Sequence, residues 1–289
     1  MDKLKKYDTP TAFRRALEDR LKQKAKDEKL DLQRLLRGVA FDRLLARLFA
    51  RKDAAWILKG GYALELRMKE ARATKDIDLA LRHSLGTEKD QPLKVMILEA
   101  LAKAAGQDLG DFFSFNIGEA MLDLDAAPYG GARFPVETRL DGRSFVRFHI
   151  DVGAGDVVLA PFDVTQAHDW LKFAGIPGAE FPTISQEQHF AEKLHSYTLQ
   201  RLMPNSRARD LIDMLLLIGS GKMDRTKVRQ ALSATFKRRK THPLPEFLDK
   251  PPVAWKGPFG ALAGTCGLSE DLDEAFKVLN AYYSTLPAE

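Results

Sequence analysis

Asp76 and Asp78 are the residues whose type and spacing speak most directly of chemistry. They lie in Asp-Ile-Asp-Leu-Ala-Leu, a short alternating segment that reads as a half-buried strand. On a strand, residues two apart project to the same face, so both carboxylates share one side and Ile77, Leu79 and Leu81 the other. Two such carboxylates repel unless a cation lies between them, and a hard divalent ion that prefers oxygen suits the position. Alone, an Asp-x-Asp strand is more often a solvated face than a cation site. The surrounding stretch shifts that balance. Leu58-Lys-Gly-Gly61 sits upstream at a strand-to-helix turn, where glycines let backbone approach a phosphate and a helix N-terminus offers free N–H groups. A third acid, Asp151, closes a strand whose Val146, Phe148, Ile150 and Val152 fill its apolar face, which leaves Asp151 on the polar one. Three carboxylates and a glycine turn can hold metal ions and a nucleoside triphosphate, as two-metal phosphoryl chemistry requires.

These residues need elements to position them. Residues 11–52 read as helix, with Leu35, Val39 and Leu45 among the apolar positions at helical spacing. A short strand over 54–58 then passes through Gly60-Gly61 into a helix, and 87–105 forms another helix. Strands follow at 112–117, 133–140 and 144–152, the last two joined by an Asp141-Gly142 hairpin turn. The Gly- and Pro-rich 153–184 reads as loop. Helices return at 185–201, 206–218, 224–237 and 269–286, with a Pro-rich break at 243–258. The expectation is an α+β fold, a mixed sheet with flanking helices and a helical C-terminal half, divided into 1–175 and 176–289.

The Lys59-Gly-Gly-Tyr-Ala-Leu-Glu-Leu-Arg67 segment, followed by Arg72-Ala-Thr-Lys-Asp-Ile-Asp-Leu79, resembles the AbiEii/AbiGii-type toxin nucleotidyltransferases of the DNA polymerase β-like superfamily. Downstream, Glu192-Lys193-Leu-His195 is similar to the family's helical lysine motif. Arg207-Ala-Arg-Asp-Leu-Ile-Asp213 is similar to its Arg-x-x-Asp-Leu-x-Asp motif. Tyr62 departs from the pattern, standing where the family more often has Thr or Ser. The resemblance implies that Lys59, Gly60, Gly61, Thr74 and Lys193 contact the nucleotide and that Asp76, Asp78 and Asp151 bind Mg²⁺ or Mn²⁺. It implies too that Asp151 helps deprotonate the acceptor, that Lys193 neutralises triphosphate charge and that Asp210 orients Lys193. The implied activity is that of a toxin in a toxin–antitoxin or phage-defence module. It moves NMP from NTP to an acceptor hydroxyl, with the 3′ end of tRNA as acceptor and a cognate antitoxin encoded nearby. A protein or small-molecule acceptor, or a catalytically silent RNA-binding module, remains the alternative.

Composition excludes several other classes. In 289 residues, 45 % hydrophobic and 29 % charged is ordinary globular usage. A single cysteine, Cys266, leaves no intramolecular disulfide and no multi-cysteine zinc site. No apolar run is long enough to span a bilayer and the N-terminus lacks a secretory core, so a cytoplasmic protein is expected. Gly219-Ser-Gly-Lys222-Met223 lacks the first glycine and the Ser or Thr of a P-loop and reads as a helix stop. The net charge of +5 conceals a pattern. Residues 1–52 hold 16 basic and 8 acidic side chains, 103–180 hold 6 and 12, and 193–240 hold 12 and 3. Basic helices flank an acidic middle, a layout suited to holding RNA phosphates on both sides of the acids and equally to solvated helix faces.

Overall fold

The computed structural model describes residues 7–83, 85, 91–124, 127–200 and 207–287. Two helices come first, α1 (Pro10–Asp27) and α2 (Leu32–Leu48). The helix expected over 11–52 is therefore broken in two. Lys29 takes a left-handed conformation, and the Asp31 carboxylate accepts from Arg34 N to cap α2. Strand β1 (Trp56–Lys59) runs straight into α3 (Gly60–Arg67), and β2 (Asp76–Leu81) follows with the bounds its alternation gave. Next come α4 (Leu93–Ala105), β3 (Phe113–Ile117), the two-residue β4 (Leu122–Asp123), β5 (Gly131–Leu140) and β6 (Arg143–Gly153). Residues 87–90 of the helix expected at 87–105 lie outside the described residues. Asp141 and Gly142 both have positive φ, as a two-residue hairpin turn of this hand demands.

The expected loop over 153–184 contains two further strands, β7 (Asp163–Gln166) and β8 (Glu180–Thr183). Both are four residues long, β7 is a largely polar edge strand, and β8 contains Pro182, so neither carries an alternating apolar signal. The C-terminal helices are α5 (Gln186–Thr198), α6 (Ala208–Gly219), α7 (Arg225–Arg239), α8 (Lys256–Thr265) and α9 (Leu272–Ser284). Helix α8 starts with the glycine-rich Lys-Gly-Pro-Phe-Gly, a weak helix signal whose first three residues fall inside what reads as a Pro-rich break. Residues 201 and 206, at the ends of two expected helices, lie outside the described residues. Gly219 ends α6 and Gly221 has positive φ, so the P-loop-like segment is a helix stop.

The architecture is a mixed α+β fold with a central sheet in the order β3-β5-β6-β2-β1-β8-β7, β4 pairing with β5. The pairs β2–β6 and β1–β8 are parallel and the remainder antiparallel. One sheet face buries Ile77, Leu79, Phe134, Phe148 and Ile150 against Phe41, Leu44 and Leu45 of α2 and Ile97 and Leu101 of α4. Burial of that apolar area is the main force fixing the strand faces, because a slip of one residue would put the acids in the core. An internal ion cluster fixes α2 further: Asp111, wholly buried, accepts from Arg43 Nε at 2.6 Å and from Arg47 Nη1 and Nη2 at 2.9 and 2.6 Å. The helical half has its own core of Phe190, Leu211, Leu215, Leu232, Phe259 and Leu279, which also takes in Leu64 of α3 and Ala71. That shared packing sets α5 and α6 beside the β1–α3 turn. Cys266 is buried and free. Among the described residues no helix is long and apolar enough to cross a membrane.

Candidate active site

Strand register builds the site. Lys59 of β1 pairs with Asp78 of β2, Asp78 with Asp151 of β6, and Asp151 with Arg133 of β5. Directly paired residues point to the same side, so four adjacent strands present the row Lys59, Asp78, Asp151, Arg133 away from the apolar core. Asp76 lies two residues before Asp78 on that face, and its Oδ1 is 3.2 Å from His149 Nδ1. Arg133 grips Asp151 through two parallel hydrogen bonds of 2.7 Å, and its Nη2 comes within 3.7 Å of Asp76 Oδ2. The Asp78 carboxylate has no hydrogen bond or ion pair among the described residues. Burial first, and then the Asp151 charge, push its pKa up to about 6, against the pull of Lys193 and Lys59.

Opposite this row stand groups from the helical half. Lys193 of α5 places Nζ 3.1 Å from Asp210 Oδ1 and 2.8 Å from Asp213 Oδ2, both on α6. Asp213, wholly buried, also accepts from Arg72 Nε and Nη2 at 2.9 and 2.8 Å. Burial works to lower the Lys193 pKa, but Asp213 and Asp210 outweigh it and raise it, so the ammonium stays charged. A cavity of about 450 Å³ lies between the two halves. It brings together Gly61, Thr74, Asp76, Asp78, Asp151, Lys193 and Asp210, and adds Arg72, Arg133, Arg207 and Arg209. Of the four arginines, Arg72, Arg207 and Arg209 fall inside the motif segments. Arg133 has no sequence signal, since only the β5–β6 register reveals it.

Two expected nucleotide residues do not line this cavity. Lys59 turns into an ion cluster, with Nζ 2.6 Å from Asp156 Oδ2 and 3.2 Å from Glu192 Oε2. Burial works to raise the Asp156 carboxyl, but Lys59 and Arg239 outweigh it and bring the pKa down to about 2. Gly60 packs under Asp78: a Cβ there would fall 2.0 Å from Asp78 Oδ2, and φ is +65°. Glycine is thus required both by conformation and by the carboxylate above it. Gly60→Ala should lose roughly 1–2 kcal/mol for the left-handed backbone alone and displace the Asp78 carboxylate. Thermal melts should show the first effect and loss of nucleotide-dependent stabilisation the second. Tyr62 points away from the cavity. Its hydroxyl donates to Asp42 Oδ1 at 2.6 Å inside α2, so the departure at this position is a packing substitution.

The donor chemistry of Asp76, Asp78 and Asp151 fits a hard divalent cation: all oxygen, one sheet face, and at Asp78 a half-buried carboxylate without an ion pair among the described residues. As the side chains stand, no three potential ligands among the described residues converge on a point, and Asp151 is held by Arg133. To act as a ligand, Asp151 must give up part of its grip on that guanidinium.

Comparisons with known proteins bear on the fold and the family. By fold, the chain is similar to MenT4, a nucleotidyltransferase toxin from Mycobacterium tuberculosis H37Rv, with TM-score 0.53 and 18 % identity over 89 % of this chain and 94 % of that one. It is similar also to JHP933 from Helicobacter pylori, with TM-score 0.50 and 16 % identity over 89 % and 93 %. A search of curated proteins gives no match. The family model described as nucleotidyl transferase AbiEii toxin, type IV TA system, matches residues 43–278, from α2 to α9. By that match the chain belongs to the AbiEii nucleotidyltransferase toxin family.

Proposed function

We propose that the protein transfers a nucleoside monophosphate from an NTP to the 3′-terminal hydroxyl of tRNA, releasing pyrophosphate and blocking translation, in a reaction that depends on Mg²⁺ or Mn²⁺. The observation that carries this reading is the register of β2 and β6, which sets Asp78 directly against Asp151 with Asp76 on the same face, inside a cavity rimmed by Lys193 and arginines. The acceptor oxygen forms a bond to the α-phosphorus while the bond to the β-phosphate bridging oxygen breaks, and pyrophosphate leaves. Asp76, Asp78 and Asp151 hold the divalent ion. When bound, the ion offsets charge on the attacking and leaving oxygens. Asp151 accepts the acceptor's proton. Lys193, kept charged and positioned by Asp210 and Asp213, faces the triphosphate as a point charge, and Arg207 and Arg209 add to that field. Gly61 and Thr74 line the cavity where backbone approaches the phosphates. The family description supports a cognate antitoxin, encoded nearby, as a further partner.

The acceptor is tested with each α-labelled NTP, Mg²⁺ and total tRNA, products being separated by size and sequenced. Label should enter tRNA, and tRNA whose 3′ diol has been oxidised with periodate should accept none. Label entering the oxidised tRNA, the protein itself or only small molecules would reject the 3′-end assignment.

A further inference from the structure

The end of α7 carries consecutive cations, Lys237, Arg238 and Arg239 in its last turn and Lys240 at its cap. Arg239 turns inward, its Nε donating to Asp156 Oδ1 at 3.0 Å and its Nη2 lying 3.7 Å from Glu192 Oε2. These are the carboxylates that hold Lys59, the cross-strand neighbour of Asp78. The cluster therefore pins the end of α7 to the strands of the acid row.

The other cations face outward. Lys237 and Lys240 are exposed, and neither has a carboxylate within 4.0 Å among the described residues. Arg238 donates from Nε to the Gly155 carbonyl, and its guanidinium carbon lies 4.4 Å from the centroid of the Tyr129 ring. Tyr129 is 66 % exposed. These side chains line an open cavity of about 620 Å³. Gly155 follows Asp151 by four residues, at most about 14 Å of chain. An exposed aromatic ring beside a guanidinium and flanked by exposed lysines has the composition of a single-stranded nucleic-acid platform. An acidic polypeptide would use the lysines but has no bases to stack.

The geometry points to this surface as the dock for the single-stranded end of the RNA acceptor. One base stacks on the Tyr129–Arg238 pair and phosphates meet Lys237 and Lys240, a few nucleotides back from the hydroxyl that reacts at the acid row. This rests on the proposed transfer to RNA, but it is tested without catalysis. A fluorescent single-stranded RNA ending in a free 3′ hydroxyl is titrated with the full chain in EDTA, without NTP, and anisotropy is followed at several salt concentrations. Tyr129→Ala should weaken binding at least about fivefold. Lys237→Glu with Lys240→Glu should weaken it at least about tenfold and flatten the salt dependence. Lys103→Glu on α4, an exposed charge reversal elsewhere, should leave it unchanged, and melts should show all variants folded. Binding equal to wild type in both surface variants overturns the proposal, as does preference for polyglutamate over RNA. Loss of binding in these variants together with absence of nucleotide transfer would leave the surface standing and reject the transfer reaction.

Discussion

Asp78→Asn is expected to lower nucleotidyl transfer by at least about 10³-fold, a loss of about 4 kcal/mol of transition-state stabilisation, while making the metal-free protein more stable. The carboxylate at the centre of the acid row has Asp151 directly opposite and no hydrogen-bond donor among the described residues, so the folded protein holds its charge at a cost. Its pKa lies at about 6, above the ordinary carboxylate range. Below about pH 3 the group is neutral in both folded and unfolded chains and contributes almost nothing. The destabilisation grows between about pH 4 and 6 as the unfolded chain releases the proton first, and is complete above that. At pH 7.5 its removal should therefore stabilise the chelator-treated protein by up to about 3 kcal/mol. Melts at about pH 3 and pH 7.5 check this: the two proteins should nearly coincide at the lower pH and separate at the higher. An inactive variant that melts like wild type at both would deny Asp78 its unpaired, functional charge.

Asp213→Ala is expected to be the most destabilising change near the cavity, costing about 3–5 kcal/mol. The carboxylate is wholly buried and answers two cations, Arg72 and Lys193, that have crossed from separate parts of the chain. Burial works to raise its pKa, and Lys193 and Arg72 overcome this and depress it. A depressed carboxyl lends stability at neutral pH that is lost as the pH falls through the folded value. Without it Arg72 is left buried beside an apolar core and Lys193 keeps only Asp210. The double variant Arg72→Leu with Asp213→Leu should recover much of the loss, because no charge is stranded. In the single variant KM for NTP should rise more than kcat falls, since Lys193 loses its position rather than its charge. A single variant as stable as wild type would mean that this ion cluster does not hold α6 to the sheet.

The acid strand was legible because its first four residues alternate: Asp-Ile-Asp-Leu buries Ile77 and Leu79 and leaves both acids on the other face. Asp151 was legible for the same reason, and the glycine turn because Gly60 leaves no room for a Cβ under Asp78. Strands β7 and β8 were not, because four residues with one or two inward side chains carry no period. Arg133 was invisible because its importance comes from pairing between β5 and β6, a non-local register that no single segment encodes. Lys59 shows the converse. Its position beside the glycines suggested a phosphate ligand, while its side chain turns to Asp156 and Glu192, acids supplied from far along the chain. Charge distribution was informative where the total was not: the basic segment around residues 193–240 supplies Lys193 to the cavity and the outward cations of α7.

The central claim, that the acids of β2 and β6 catalyse nucleotidyl transfer, is tested most directly by following α-labelled nucleotide incorporation into tRNA and pyrophosphate release together, in wild type and Asp78→Asn, with Mg²⁺ and with EDTA. The account predicts equal amounts of incorporated label and pyrophosphate for wild type with Mg²⁺, and neither product for the variant or with the chelator. Incorporation that persists in folded Asp78→Asn, or none from wild type with any NTP, would contradict it.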